Sequence, residues 1–177
     1  MVVGVYGGSF NPPHVGHAMV AAWLGWTRRV DEVWLLPAFL HAFDKPLAPW
    51  PTRLAACRAL ARAVGPHVHV CEVEAELPTP SFTIRTLETL AARHPGHRFR
   101  LVVGADVLAQ TRQGHAWPRI AAEFEPICVG RIGYPPVPDA PTFPDVSSTE
   151  VRRRLAEGEP VDHLVPAEVL AAWHDRG

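Results

Sequence analysis

Two imidazoles three residues apart, His14 and His17, close the stretch GGSFNPPHVGH (residues 7–17), which directly follows a short apolar run. At a helix start such a pair projects to one side. Gly7 and Gly8, just before it, let a ligand approach the backbone with no Cβ in the way, and the free amides of the helix start would face an anion. The chemistry these residues support is a local grip on phosphate. A proline-rich turn whose histidines merely cap a helix would use each residue singly; the functional reading rests on strand, glycines and both histidines occurring in that order. The stretch is neither the dinucleotide fingerprint G-x-G-x-x-G nor a Walker loop, since no Gly-Lys-Ser/Thr follows.

A second candidate lies far downstream in VSSTEVRRRL (146–155). Ser147 and Glu150 form an S-x-x-E capping box, which alone would account for a helix start. Capping does not require Ser148, Thr149 and Arg152 as well. Hydroxyls and a guanidinium at a helix N-terminus make a second anion clamp, with Arg152 able to serve a phosphate in fork geometry. Arg153 and Arg154 point elsewhere around the helix, toward solvent.

The elements that must position these groups show two alternating periods. The runs 2–6, 32–38, 68–73, 99–105 and 126–130 read as strands, several of them apolar on both faces as a buried parallel sheet requires. Residues 15–29, 51–64 and 81–94 carry apolar side chains at helical spacing. The series predicts an α/β chain with a Rossmann-like, doubly wound parallel sheet that binds its ligand at the carboxyl ends of the strands. The proline-rich stretch 134–145 reads as an extended surface connection, followed by short helices at 148–157 and 166–174. At 177 residues the expectation is one domain, 1–177, with a C-terminal helical subregion at about 147–177.

Composition narrows the partners. A formal net charge of −1 and no long basic run argue against nucleic acid gripped along the surface. No stretch has the eighteen or so unbroken apolar residues of a membrane helix, and the start lacks a signal-peptide pattern, so the expected location is the cytoplasm with no membrane partner. Cys57, Cys71 and Cys128 are odd in number and far apart, which fits buried free thiols. His67 and His69, in HVHV, read as polar positions on one strand face. No dedicated metal site is expected from the protein's own ligands.

The quoted motifs carry a resemblance. GGSFNPPHVGH resembles the GxFxPxHxGH signature of the nucleotidyltransferase superfamily, and VSSTEVRRRL resembles its ISSTxxR signature. Within that superfamily PSFTIRTLETL (80–90) and FRLVVGADVLAQTRQGHAWPRI (99–120) are similar to segments of the nicotinate mononucleotide adenylyltransferases, so the likeness covers nearly the whole chain. The resemblance implies AMP transfer from ATP to nicotinate mononucleotide, with Mg²⁺ arriving on ATP. It implies His14, His17 and Arg152 as catalytic. Gly7, Gly8, Ser9, Phe10, Gly16, Lys45, Gly104, Ser147, Ser148 and Thr149 would bind ATP. Thr83, Asp106, Trp117 and Arg131 would bind the acceptor, the indole offering a flat face to a pyridinium ring. Three positions depart from the pattern: Asn11 replaces the commoner aspartate, Phe82 a tyrosine, and Gly130 a first arginine before Arg131. The last leaves room for nicotinamide mononucleotide or another phosphate acceptor, used by an adenylyl- or cytidylyltransferase. A nucleotide-binding protein without turnover is the alternative from another class, and a homo-oligomer is compatible with the sequence.

Overall fold

The computed structural model describes residues 1–40, 46–79, 82–111 and 116–175. Its centre is β1 (Val2–Gly8), flanked by β2 (Glu32–Pro37) on one side and β4 (Arg98–Gly104) on the other. β3 (Val68–Val70), β5 (Ile127–Arg131) and β6 (Thr142–Phe143) complete a six-stranded parallel sheet in the order β3-β2-β1-β4-β5-β6. This is the doubly wound order, and the chain reverses direction across the sheet between β1 and β4. That switch point opens a crevice at the strands' carboxyl ends.

Alternation along β1 assigns its two faces. Val3 and Val5, both fully buried, pack with Leu87 and Leu90 of α3 (Thr83–Arg93) and Ile120 and Phe124 of α5 (Trp117–Phe124). On the opposite face Val20 and Leu24 of α1 (Val15–Trp26) and Leu60 of α2 (Trp50–Val64) share a core with Val151 of α6 (Ser148–Glu157) and Val169 of α7 (Ala167–His174). Gly4, on this second face, leaves the space that Val30 and Val102 fill. Helices on both faces are what the two-sided apolar strands require.

Several local expectations are corrected. The strand expected over 68–73 ends at Val70, and a 3₁₀ turn follows at Val73–Glu76. His67 therefore precedes the strand and does not share a face with His69: its ring lies against Gly25, whose missing Cβ makes the room, while His69 reaches Glu32 at 3.6 Å. The helix expected over 15–29 stops at Trp26, and Arg28 adopts φ 54°. The proline-rich connection contributes β6, because Gly130 N–H bonds Pro141 C=O and Ile132 N–H bonds Phe143 C=O. Phe143 is thereby driven into the core against Trp23. α4 (Ala105–Thr111) and α5 are additions to the expected elements, and Asp106 lies in the first turn of α4. The cysteines are free thiols; Cys57 is buried and the other two are half-buried. Among the described residues, no helix is long and apolar enough to cross a membrane.

Leu60 is fully buried between α2 and the sheet. Leu60→Ala is expected to cost about 2–5 kcal/mol of stability, read from the midpoint and slope of urea unfolding.

Candidate active site

A cavity of about 440 Å³ opens at the switch point, a size suited to a nucleotide. Its floor is made by Gly7 and Gly8 at the end of β1, Val102, Val103 and Gly104 of β4, and Val129 to Arg131 of β5. His14 and His17 form one wall, and Ser147, Ser148, Thr149 and Arg152 form another. The two walls are stitched together. Ser148 Oγ donates to the Pro12 carbonyl at 2.8 Å, across 136 residues of sequence, and Arg152 Nη1 donates to the Asn11 carbonyl at 2.6 Å, across 141. The start of α1 is closed by a distant partner too, since Val15 N–H bonds the Leu164 carbonyl at 2.8 Å.

The imidazoles stack tightly, with centroids 3.8 Å apart and planes tilted by 32°. His17 Nδ1 accepts the backbone N–H of His14 at 3.2 Å. That bond fixes the tautomer: in neutral His17 the proton sits on Nε2, the atom left free to donate. Tyr6 and Phe10 enclose the same ring, at 5.9 and 4.8 Å between centroids. Phe10 itself is 1% exposed and holds φ 45°, a left-handed backbone that a bulky residue adopts only where its surroundings enforce it. Gly16 explains its own identity, because a Cβ there would stand 3.1 Å from the His14 ring. Among the described residues, buried His14 Nδ1 has no hydrogen-bond partner.

Both imidazoles are held neutral. Burial, reinforced by Arg131, lowers His14 to about 4; burial, then His14 and Arg131, takes His17 well below its ordinary 6.5. The desolvation that removes their charge also strengthens any hydrogen bond they give to an anion.

The serines differ from expectation. Ser147 caps α6, its hydroxyl accepting Glu150 N–H at 3.2 Å, and the Ser148 hydroxyl is committed to Pro12. The Glu150 side chain does not complete a capping box; it binds Arg153 and Arg154. Both arginines are thus ion-paired on the helix surface. Thr149 Oγ1 accepts from Arg152 Nη2 at 3.4 Å and keeps its own proton to donate. Of the expected anion donors at this wall, the Thr149 hydroxyl, the Arg152 guanidinium and the first amides of α6 remain.

In the floor Arg131 is clamped between two carboxylates: Nη1 meets Asp106 at 2.5 Å, while Nε and Nη2 meet Asp145 at 3.0 and 2.7 Å. Gly104 leaves room for the Asp106 carboxylate, with which its Cβ would collide. Tyr6 is raised far above its ordinary value by burial and by Asp106, so its phenol stays protonated. The structure therefore gathers His14, His17, Arg152, Asp106, Arg131 and the expected glycines, with Ser9 and Phe10, around one opening. Thr83, exposed at the start of α3, and Trp117, half-buried at the start of α5, do not line it. Lys45 lies outside the described residues. Sequence reasoning did not assign Tyr6, Asn11 or Arg53 to the site. Arg53 carried a usable signal, since it sits three, four and seven residues before the core positions Ala56, Cys57 and Leu60, on the apolar face of its helix.

Residues 5–154 match the family described as cytidylyltransferase-like. The chain is 54% identical over 178 residues to a protein of Anaeromyxobacter sp. (strain K) named "Probable nicotinate-nucleotide adenylyltransferase", covering 99% of this chain and 95% of that protein. A Myxococcus xanthus protein of the same name is 39% identical over 99% of this chain and 93% of its own. The fold is similar to that of Plasmodium falciparum nicotinic acid mononucleotide adenylyltransferase complexed with NaAD, with a TM-score of 0.79, 16% identity, and coverage of 98% of this chain and 95% of that one.

The neutral imidazoles set a pH dependence whose sign is fixed. In the unfolded chain they take up protons near pH 6.5, whereas in the folded chain His14 resists protonation until about pH 4 and His17 until well below 6.5. The unfolded state binds more protons in that window, so their contribution is intact above pH 6.5 and is lost as pH falls toward 4. Urea midpoints measured from pH 7.5 to 4.5 should decline more steeply for the wild type than for a His14→Gln/His17→Gln protein.

Proposed function

The chain belongs to the cytidylyltransferase-like family, and from that premise we propose that it is a nicotinate-nucleotide adenylyltransferase, joining AMP from ATP to nicotinate mononucleotide to give deamido-NAD and pyrophosphate. The observation that carries this reading is the convergence of His14 and His17 with Arg152 and the first turn of α6 on one cavity at the sheet's switch point. The near full-length identity to relatives bearing that name supports the acceptor.

In the proposed reaction a 5′-phosphate oxygen of the acceptor attacks the α-phosphorus of ATP in line as the bond to the pyrophosphate oxygen breaks. No side chain is needed as a nucleophile. The work left to the protein is alignment and the offsetting of charge that builds on the α-phosphate and the leaving group. His17 donates a hydrogen bond from Nε2–H to the triphosphate, with His14 stacked against it in the same wall. Arg152 meets the β and γ groups together with the Thr149 hydroxyl and the first amides of α6, where the helix dipole favours negative charge. Gly7 and Gly8 let the nucleotide lie against the ends of the strands. Asp106 and Arg131 face the acceptor, the carboxylate taking ribose hydroxyls and the guanidinium a phosphate. Thr83 and Trp117, which stand outside the lining of this cavity, are proposed for its ring on the family resemblance alone.

Among the described residues no three His, Cys, Asp or Glu side chains are grouped to hold a metal ion. Asp106, the carboxylate in the cavity lining, is already engaged by Arg131. This donor set fits a magnesium ion that enters on ATP, held by phosphate oxygens and water, where it would offset phosphate charge.

Incubation with ATP, Mg²⁺ and nicotinate mononucleotide should yield deamido-NAD by mass and one pyrophosphate per product; nicotinamide mononucleotide and CTP in the same panel should react far more slowly. His17→Ala and Arg152→Ala should each lower turnover about a hundredfold or more in a protein that still folds, the Arg152 variant with a lowered melting temperature because its bond to the Asn11 carbonyl is lost as well. Full turnover in a folded His17→Ala protein would remove the role given to that imidazole.

A further inference from the structure

The most deeply buried charge in the described structure does not line the cavity. Arg53, in the first turns of α2, is 1% exposed, and its guanidinium is spent on backbone carbonyls. Nε donates to Ala48 at 3.0 Å, Nη1 to Ser9 at 3.1 Å and Ala38 at 2.7 Å, and Nη2 to Phe39 at 3.2 Å. These carbonyls come from three separate segments: the loop after β1, the end of β2 and the approach to α2. Parallel strands leave such carbonyls without ladder partners where they end, and a buried unpaired carbonyl is costly. One planar group with five fixed N–H donors satisfies four of them at once.

Ser9 is the member that matters for chemistry, because it lines the cavity between the strand glycines and the histidine wall. Its neighbour Asn11 extends the same frame, accepting Ala48 N–H on Oδ1 at 3.0 Å and giving Nδ2 to Pro46 at 3.4 Å. Behind Arg53, buried Glu74 accepts Phe39 N–H and the Thr86 hydroxyl, each at 3.3 Å, which ties the frame to α3. Trp50 lies over the guanidinium at 5.3 Å and packs edge-on to Phe39. We propose that Arg53 is a positioning residue for the adenylyl transfer: through Ser9 it holds the backbone of residues 9–11 in the form that receives the triphosphate, without itself touching substrate. This rests on the function proposed above.

Lysine keeps the charge but offers one ammonium in place of a fork, so it cannot reach the three segments together. Arg53→Lys and Arg53→Gln are compared with the wild type and with Leu90→Val, a core change on α3 that removes none of these hydrogen bonds. Melting temperature, ATP affinity by calorimetry, and kcat and KM for each substrate are read for all four. The expected result is a folded Arg53→Lys protein whose kcat/KM for ATP is at least tenfold lower, with ATP affinity reduced, the acceptor KM within about threefold of wild type, and a still larger loss for glutamine. Leu90→Val should lower the melting temperature and leave the kinetics alone. ATP kinetics in Arg53→Lys equal to wild type or to Leu90→Val would overturn the proposal. So would failure of both Arg53 variants to fold, since Arg53 would then serve folding alone. If the wild type makes no deamido-NAD yet its ATP affinity still depends on Arg53, the function is wrong and the positioning role stands.

Discussion

The site depends on a seam between two parts of the chain that sequence holds far apart. Ser148 and Arg152 of α6 each donate to a carbonyl in the Asn11–Pro12 turn, and those bonds set how far the helix start stands from the imidazoles. The Arg152 bond is charge-assisted and short, so it belongs to the stronger class of protein hydrogen bonds. Packing reinforces it, because Val151, one residue from Arg152, is fully buried in the core that α1 and α2 share. A helix anchored by its apolar side presents its polar first turn at a defined depth.

Electrostatically the cavity is prepared for an anion without an excess of protonated imidazole. Burial keeps His14 and His17 neutral, so the permanent positive charge in the lining comes from Arg152 and from Arg131, the latter already paired with Asp106 and Asp145. Asp106 and Asp145 orient Arg131 from two sides. Fixed dipoles and fixed guanidinium groups need little reorganisation when charge develops, which is the condition under which they stabilise it most.

Much of this was legible in the residues. Five strands and five helices followed from period and length, and their order gave the parallel sheet and the end at which it binds. What escaped had no periodic signature: β6 is two residues long, α4 and α5 are seven and eight, and the 3₁₀ turn is four. At the site, His14, His17 and Arg152 were readable because residue types and spacing matched one chemistry. The uses of the Ser147 and Ser148 hydroxyls were not, since a cap and an anion contact ask for the same side chain. Arg53 was passed over because a lone arginine on a helix reads as solvated until its apolar neighbours at three, four and seven residues are counted.

The bond from Val15 N–H to the Leu164 carbonyl has a consequence for the order in which the enzyme comes into being. A chain leaving the ribosome exposes the glycines and histidines first, but the partners that close their helix and bind the Asn11–Pro12 turn, Leu164, Ser148 and Arg152, emerge much later. Most of the sheet can assemble while synthesis continues. The pocket cannot, so a nascent chain that stops short of α6 lacks one wall of the cavity, whatever the state of its sheet.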